Sequence, residues 1–187
     1  MAQKRKDWNG LISGFKASDL VFLDESGCNT DMTRRYAYSL GGSRAVDSAP
    51  LSKPKNTTIL SSFQLNGTLH YTTFSGGTTV ERFKRYLETD LLPHLNGNSV
   101  LIMDNMKSHH AKAVKNLLDS SGIRYIYLPP YSPDLNPIEK LWSKVKAFLR
   151  KFKARTLDAL PNAIQNAFHS VTVSDCSGWF RFCGYAL

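Results

Sequence analysis

Apolar and polar positions along the chain change period several times, and each change marks an element. Leu20 to Leu23 form a continuous apolar run that ends at Asp24 and Glu25 before Gly27, the pattern of a core strand delivering acids at its C-terminal end. The stretch TTILSSFQLNGTLHYTTF predicts a hairpin, because β-rich flanks surround Asn66-Gly67, a pair suited to a type I′ turn. Between these, RRYAYSLGGSRAVDSAPLSKPKN mixes short strand candidates with glycine and proline turns, and reads either as a further strand or as a substrate-facing loop. From Thr79 to about His94, Val80, Phe83, Leu87 and Leu91 recur at helical spacing. VLIMD is a second core strand ending at Asp104; a helix over Ala111 to Asp119, a boundary at Gly122 and a strand IRYIYL follow, closed by Pro129 and Pro130.

The last strong pattern is a helix starting at Asn136 or Pro137, with Ile138, Leu141, Trp142, Val145, Phe148, Leu149 and Phe152 on one apolar stripe. Trp142 on that stripe reads as core before it reads as a base-stacking platform. A further helix is expected within Leu157 to Phe168, and the apolar end SGWFRFCGYAL is expected to dock Trp179, Phe180 and Phe182 on the domain, with a partner surface as the other reading. Strand and helix alternation predicts an α/β fold with covered parallel strands. No repeat, low-complexity tract or long linker divides it. The reading is one domain over 1–187, with a basic lead-in 1–19, a core over about 20–170 and an apolar segment 171–187.

Composition narrows the partners. Lys and Arg number 24 against 15 Asp and Glu, a net charge of +9, which calls for an anionic partner without choosing among DNA, RNA and an acidic membrane surface. No stretch reaches transmembrane length, and MAQKRKDWNG is too polar for a secretory signal, so a cytoplasmic or nucleoid-associated protein is expected. That N-terminal stretch reads as a solvated tail, with contact to nucleic acid as the other reading. Cys28, Cys176 and Cys183 form no CxxC pair and no even framework, and read as reduced thiols.

The chemistry rests on carboxylates. If the strands ending at Asp24 and Asp104 are parallel neighbours, both acids emerge at one sheet edge, and the loop YLPPYSPDLNP can carry Glu139 across to them. Three ionised acids in one place repel, a penalty that a hard divalent cation such as Mg²⁺ reverses, so a basic protein with such a cluster points to phosphodiester chemistry. Each acid also has a plainer reading. Asp24 can cap a turn before Gly27, and Asp104 can accept local amide hydrogen bonds. Asn136-Pro137-Ile138-Glu139 fits an N-cap, proline at N1 and glutamate at N3.

Three blocks, VFLDESG with Asp24, LIMDNMKSHH with Asp104 and YLPPYSPDLNPIEKLWSKVKAFLR with Glu139, the last two acids separated by 34 residues, resemble the DDE catalytic domain of mariner-like transposases and their bacterial insertion-sequence relatives. The resemblance runs from about Leu20 to Arg150. It implies a ribonuclease-H-like fold, a central mixed sheet flanked by helices, with Asp24, Asp104 and Glu139 as catalytic metal ligands. It implies two Mg²⁺ ions, with Mn²⁺ as substitute, roughly 3.5–4 Å apart. The activity implied is strand cleavage by water, then attack of the freed 3′-hydroxyl on target DNA. Transposon-end and target double-stranded DNA are the implied partners, with a homodimer in the synaptic complex and a thymine-adenine target.

The same resemblance matches Asn105 and His109 to the family's DN...H block, where they orient a ligand, water or phosphate; a helix-entry hydrogen bond is the alternative for each. Glu25 is expected to point away from Asp24 by strand alternation. Tyr131 and Ser132 are available to a DNA backbone. Arg34, Arg35, Arg44, Lys140, Lys144, Lys146, Arg150 and Lys151 are candidate phosphate contacts whose scatter favours backbone positioning over base readout. Full-length relatives carry N-terminal helical modules that recognise inverted repeats, for which the stretch before Asp24 leaves no room, so a larger or frameshifted protein is expected to supply one. The competing class is a catalytically silent, transposase-derived DNA-binding or assembly protein.

Overall fold

The computed structural model describes residues 2–51 and 54–187. A five-stranded sheet has the order β3-β2-β1-β4-β5, with β1 Leu20–Cys28, β2 Thr57–Gln64, β3 Leu69–Ser75, β4 Val100–Met103 and β5 Arg124–Tyr127. β1 pairs antiparallel with β2 and parallel with β4, and β4 pairs parallel with β5, so the sheet is mixed.

Alternation along the central strands sorts their side chains between two layers. Leu20, Phe22, Val100 and Ile102 face a core shared with α4 (Ile138–Phe152), α5 (Leu160–His169) and α6 (Val173–Phe182). Val21, Leu23, Leu101 and Met103 face Phe83, Leu87 and Leu91 of the α2 region and Val114 and Leu118 of α3 (Lys112–Ser121). Burial on both faces explains why β1 and β4 begin as unbroken apolar runs. α2 (Val80–Tyr86) is capped by the Thr79 hydroxyl, which accepts from the Arg82 amide at 3.3 Å, and continues as a π-helical turn over Leu87–Leu91. Gly122, at φ 71°, ends α3 in the left-handed conformation a glycine adopts without strain.

Several expectations need correction. The N-terminal stretch is no tail: α1 (Ala2–Ile12) docks on the domain with Trp8 3% exposed, and Arg5 pairs with Asp134 and donates to Ser132 Oγ at 3.4 Å. β1 does not stop at Asp24 but runs to Cys28, because β2 pairs with it residue by residue from Val21↔Gln64 to Cys28↔Thr57. The hairpin turn is not type I′. Gly67 has φ 86° while Asn66 does not enter positive φ, and the Gly67 amide bonds the Gln64 carbonyl, giving a three-residue loop with glycine in the left-handed position. The segment from Asn29 to Asn56 contains no strand among its described residues; Ser52 and Lys53 lie outside them. At the C-terminus Phe180 is buried, 5.3 Å from the Phe22 ring and 5.6 Å from Phe63, and Trp179 packs beside it. Such aromatic pairs add about 0.5–1.5 kcal/mol each beyond burial. Phe182 instead stays 67% exposed, under the Lys140 ammonium at 3.7 Å.

Candidate active site

The parallel β1–β4 pairing ends at Phe22↔Ile102; Asp24 and Asp104 each lie two residues beyond it, and both line the cavity at the foot of α4. Glu139 lies in the first turn of α4, opposite them. Its place is set by the segment Leu128 to Pro137, whose prolines restrict the backbone. The three acids line one cavity of about 600 Å³, with Asn105, Tyr131 and Asn136.

Each acid is held differently. Asp24 Oδ2 accepts the indole N–H of Trp142 at 3.1 Å, a bond tying β1 to α4 one turn beyond Glu139. Burial pushes the Asp24 carboxyl up to about 7, and nearby Glu25 and Asp104 push the same way against the backbone and Trp142 hydrogen bonds. Asp104 Oδ1 accepts the Met106 amide at 2.9 Å and lies 2.8 Å from His109 Nδ1. Burial would raise the Asp104 carboxyl, but the His109 contact and the Met106 amide outweigh it and hold it below the usual carboxylate range. Glu139 is exposed and makes no hydrogen bond through its carboxylate among the described residues.

His109 links the two faces of the sheet. Its ring is fully buried, packed 4.2 Å from Phe83, with Nδ1 on Asp104 and Nε2 3.1 Å from Glu25 Oε1. Burial disfavours its charge, but the two flanking carboxylates overcome that and raise its pKa. Glu25 does point away from Asp24, as alternation requires, yet through His109 it braces Asp104. The expected choice for Asn105 between a phosphate contact and a helix-entry bond gives way to a third arrangement: its Nδ2 donates to the Leu128 carbonyl at 2.6 Å, joining the ends of β4 and β5.

The plainer reading of Glu139 as part of a side-chain cap is not realised. The Asn136 carbonyl accepts the Glu139 amide at 3.1 Å, but Asn136 Oδ1 is buried without a partner. Ser132 is also unavailable to DNA, being buried and hydrogen-bonded to Arg5 and to the Pro130 carbonyl. Tyr131 is 89% exposed at the cavity mouth, held at φ 54°, a conformation uncommon outside glycine and concentrated at functional sites. Among the basic candidates, Arg34, Arg35, Arg44 and Lys151 are exposed, whereas Lys144 is tied to Asp175 at 2.5 Å.

Sequence reasoning missed the Trp142 bond because it weighed the ring and not its N–H. The signal was present, since Trp142 follows Glu139 by three positions and so shares its side of α4.

A family model described as DDE superfamily endonuclease matches residues 19–161, a span that contains Asp24, Asp104 and Glu139. The chain belongs to the DDE superfamily of endonucleases. A curated relative, the Tc1 transposase of Caenorhabditis elegans, is 28% identical over 97 residues, half of this chain and 36% of that protein. Two solved structures share the fold. The Mos1 mariner paired end complex with Mn matches at a TM-score of 0.75 and 19% identity, over 95% of this chain and 57% of that one. The catalytic domain of Mos1 mariner transposase matches at 0.72 and 16%, over 96% and 85%. The chain therefore has the ribonuclease-H-like architecture expected of a DDE domain, and spans about a third of the curated relative.

Among the described residues of this DDE domain, no three His, Cys, Asp or Glu side chains converge into a ready-made metal site. The expected meeting of the three acids is realised as a shared cavity, not as a closed ligand set. Three carboxylates repel one another at close range, and Asp24 and Asp104 each turn an oxygen to a protein donor. The donor set nonetheless suits a hard divalent ion. It is all oxygen and it opens on one cavity. No helix among the described residues is long and apolar enough to cross a membrane.

Proposed function

We propose that this chain is the catalytic domain of a transposase that cuts DNA strands and joins them to new DNA. The observation that supports the reading is that Asp24 and Asp104, each two residues beyond the last pair of the parallel β1–β4 ladder, line one cavity with Glu139. In this reading Asp24, Asp104 and Glu139 hold two divalent ions, Mg²⁺ or Mn²⁺. Bound there, the ions lower the pKa of the attacking water or 3′-hydroxyl and stabilise the leaving oxygen.

The chain's own residues prepare that chemistry. Trp142 fixes one Asp24 oxygen and leaves the other for the cavity. His109, braced by Glu25, and the Met106 amide fix the Asp104 carboxylate from behind. The Asn105 bond to Leu128 anchors the loop that brings Glu139 into place. Glu139, exposed and without a hydrogen-bond partner among the described residues, is the acid that would complete the oxygen ligands of a cation held by Asp24 and Asp104. Arg34, Arg35, Arg44, Lys151 and the unpaired lysine and arginine of α4 carry the backbone phosphates of double-stranded DNA, giving affinity without base readout. By analogy with the Mos1 paired-end complex with left transposon end, the DNA is a transposon end; in this reading the working form is a homodimer.

One observation favours a second reading, a silent DNA-binding or assembly protein: the acids do not converge. A nicking assay separates the two. Incubated with supercoiled plasmid, the protein is expected to convert it to open circles in Mg²⁺ or Mn²⁺ and not in EDTA. Native protein that binds the plasmid yet leaves it closed in both metals would establish the silent reading.

A further inference from the structure

The basic residues of α4 and of the turn after it are not equivalent. Lys144 is tied to Asp175, Lys153 to Asp47 at 2.6 Å, and Arg155 donates to the carbonyls of Thr30 and Met32 at 3.0 and 3.1 Å. Lys140 covers the Phe182 ring. Lys146 and Arg150 make no ion pair or side-chain hydrogen bond among the described residues, although both are half-buried.

Both line a second cavity, of about 490 Å³, bounded opposite them by Gly27 and Cys28 at the end of β1 and by Arg35 from the segment that follows. Asp31 is the one carboxylate among its lining residues. Three cations against one acid leave this cavity with an uncompensated positive charge, the reverse of the acid cavity.

The two cavities lie along one seam. Glu139, Trp142, Lys146 and Arg150 recur at i, i+3, i+7 and i+11, one stripe of α4, so the two cations sit about 10 and about 16 Å beyond Glu139 along the helix. On the strand side Cys28 follows Asp24 by four residues on the same face of β1, about 13 Å away. One strand of B-DNA advances about 3.4 Å per nucleotide, so the basic cavity stands about three to five nucleotides from the acids.

We infer that the cavity lined by Lys146, Arg150 and Arg35 is a phosphate subsite that grips the backbone of the DNA strand flanking the acid cavity. The inference rests on the proposed strand-cutting function. It adds a division of labour, in which the acid cavity handles the reacting phosphodiester and the basic one fixes its register. Arg150 and Arg35 suit such a role through their planar donor forks, and Lys146 as a point charge.

The test is fluorescence anisotropy in EDTA, with a fluorescein-labelled DNA duplex of two helical turns as probe and salt varied from about 50 to 200 mM. Lys146→Gln with Arg150→Gln is expected to weaken binding about tenfold and to flatten the plot of log affinity against log salt by about 1.8, near 0.9 for each lost phosphate contact. Lys112→Gln with Lys115→Gln removes the same charge from α3, across the sheet, and is expected to leave the slope unchanged. Equal losses in the two double variants, or wild-type binding by the first, would overturn the subsite. In the plasmid assay the first variant is expected to need more DNA for half-maximal nicking. A wild-type protein that shows the predicted salt difference but never nicks would sink the catalytic reading and leave the phosphate subsite standing.

Discussion

Replacing Asp104 with Asn is expected to lower metal-dependent nicking by about a thousandfold or more, while fold and metal-free DNA affinity stay at wild-type level. Metal-assisted stabilisation of transition-state charge is worth several kcal/mol, and each 1.36 kcal/mol is a factor of ten in rate. The substitution removes an anionic oxygen while preserving shape and an acceptor for the Met106 amide, so it separates charge from packing. His109→Gln is expected to fall short of that, losing about ten- to a hundredfold, because His109 reaches the chemistry only through Asp104. Nicking rates under single-turnover conditions, with circular dichroism and anisotropy as controls, check the order. Equal losses in both variants would mean that Asp104 serves the fold and not the reaction.

The second large effect is on stability. Asp24 is raised to about 7 in the folded protein, chiefly by burial, against about 3.9 for an unfolded chain. Between these values the native state holds a proton that the unfolded state has released. The stability this confers is present at low pH and is lost as pH rises from about 4 to about 7. A shift of that size corresponds to something on the order of 4 kcal/mol. Asp24→Asn keeps an acceptor for the Trp142 N–H and carries no charge at any pH. Without metal the variant is therefore expected to be more stable than wild type by that order near pH 8, with the difference closing toward pH 4, while nicking is abolished. Adding Mn²⁺ is expected to stabilise the wild type and not the variant, since a ligand stabilises only the state that binds it. Urea unfolding across this range in EDTA is the measurement, and parallel pH profiles for the two proteins would reject the account of Asp24.

A substitution that stabilises the fold while destroying activity is the signature of a site built at the expense of stability. The same tension explains what could be read from the chain. Leu20 to Leu23 and Val100 to Met103 announce their strands because both sheet faces are covered, and the acids that follow reach one cavity because those strands are parallel neighbours. The α4 stripe was equally plain, with Ile138, Leu141, Trp142, Val145 and Leu149 all buried.

What stayed hidden is held by contacts remote in sequence. β1 continues past Asp24 through Glu25, Ser26 and Gly27 because β2 pairs with it, and nothing in those three residues favours a strand. α1 has too few apolar positions for a helical stripe, and its docking depends on Trp8 and on Arg5 meeting Asp134, more than a hundred residues away. Glu25 and His109 are likewise joined across 84 positions, so the bracing of Asp104 had no local signal. Lys144 and Lys146 look alike in the sequence. Only the place of Asp175 shows that one is neutralised and the other left for an anion.

The central claim is that Asp24, Asp104 and Glu139 together bind divalent cations. Anomalous diffraction from crystals soaked in Mn²⁺ with a short DNA duplex tests it most directly. The account predicts Mn²⁺ peaks in the acid cavity within bonding distance of Asp24 and Asp104, with the Glu139 carboxylate turned inward to complete the set. Peaks confined to other surfaces, or a cavity without metal while DNA lies across it, would contradict it.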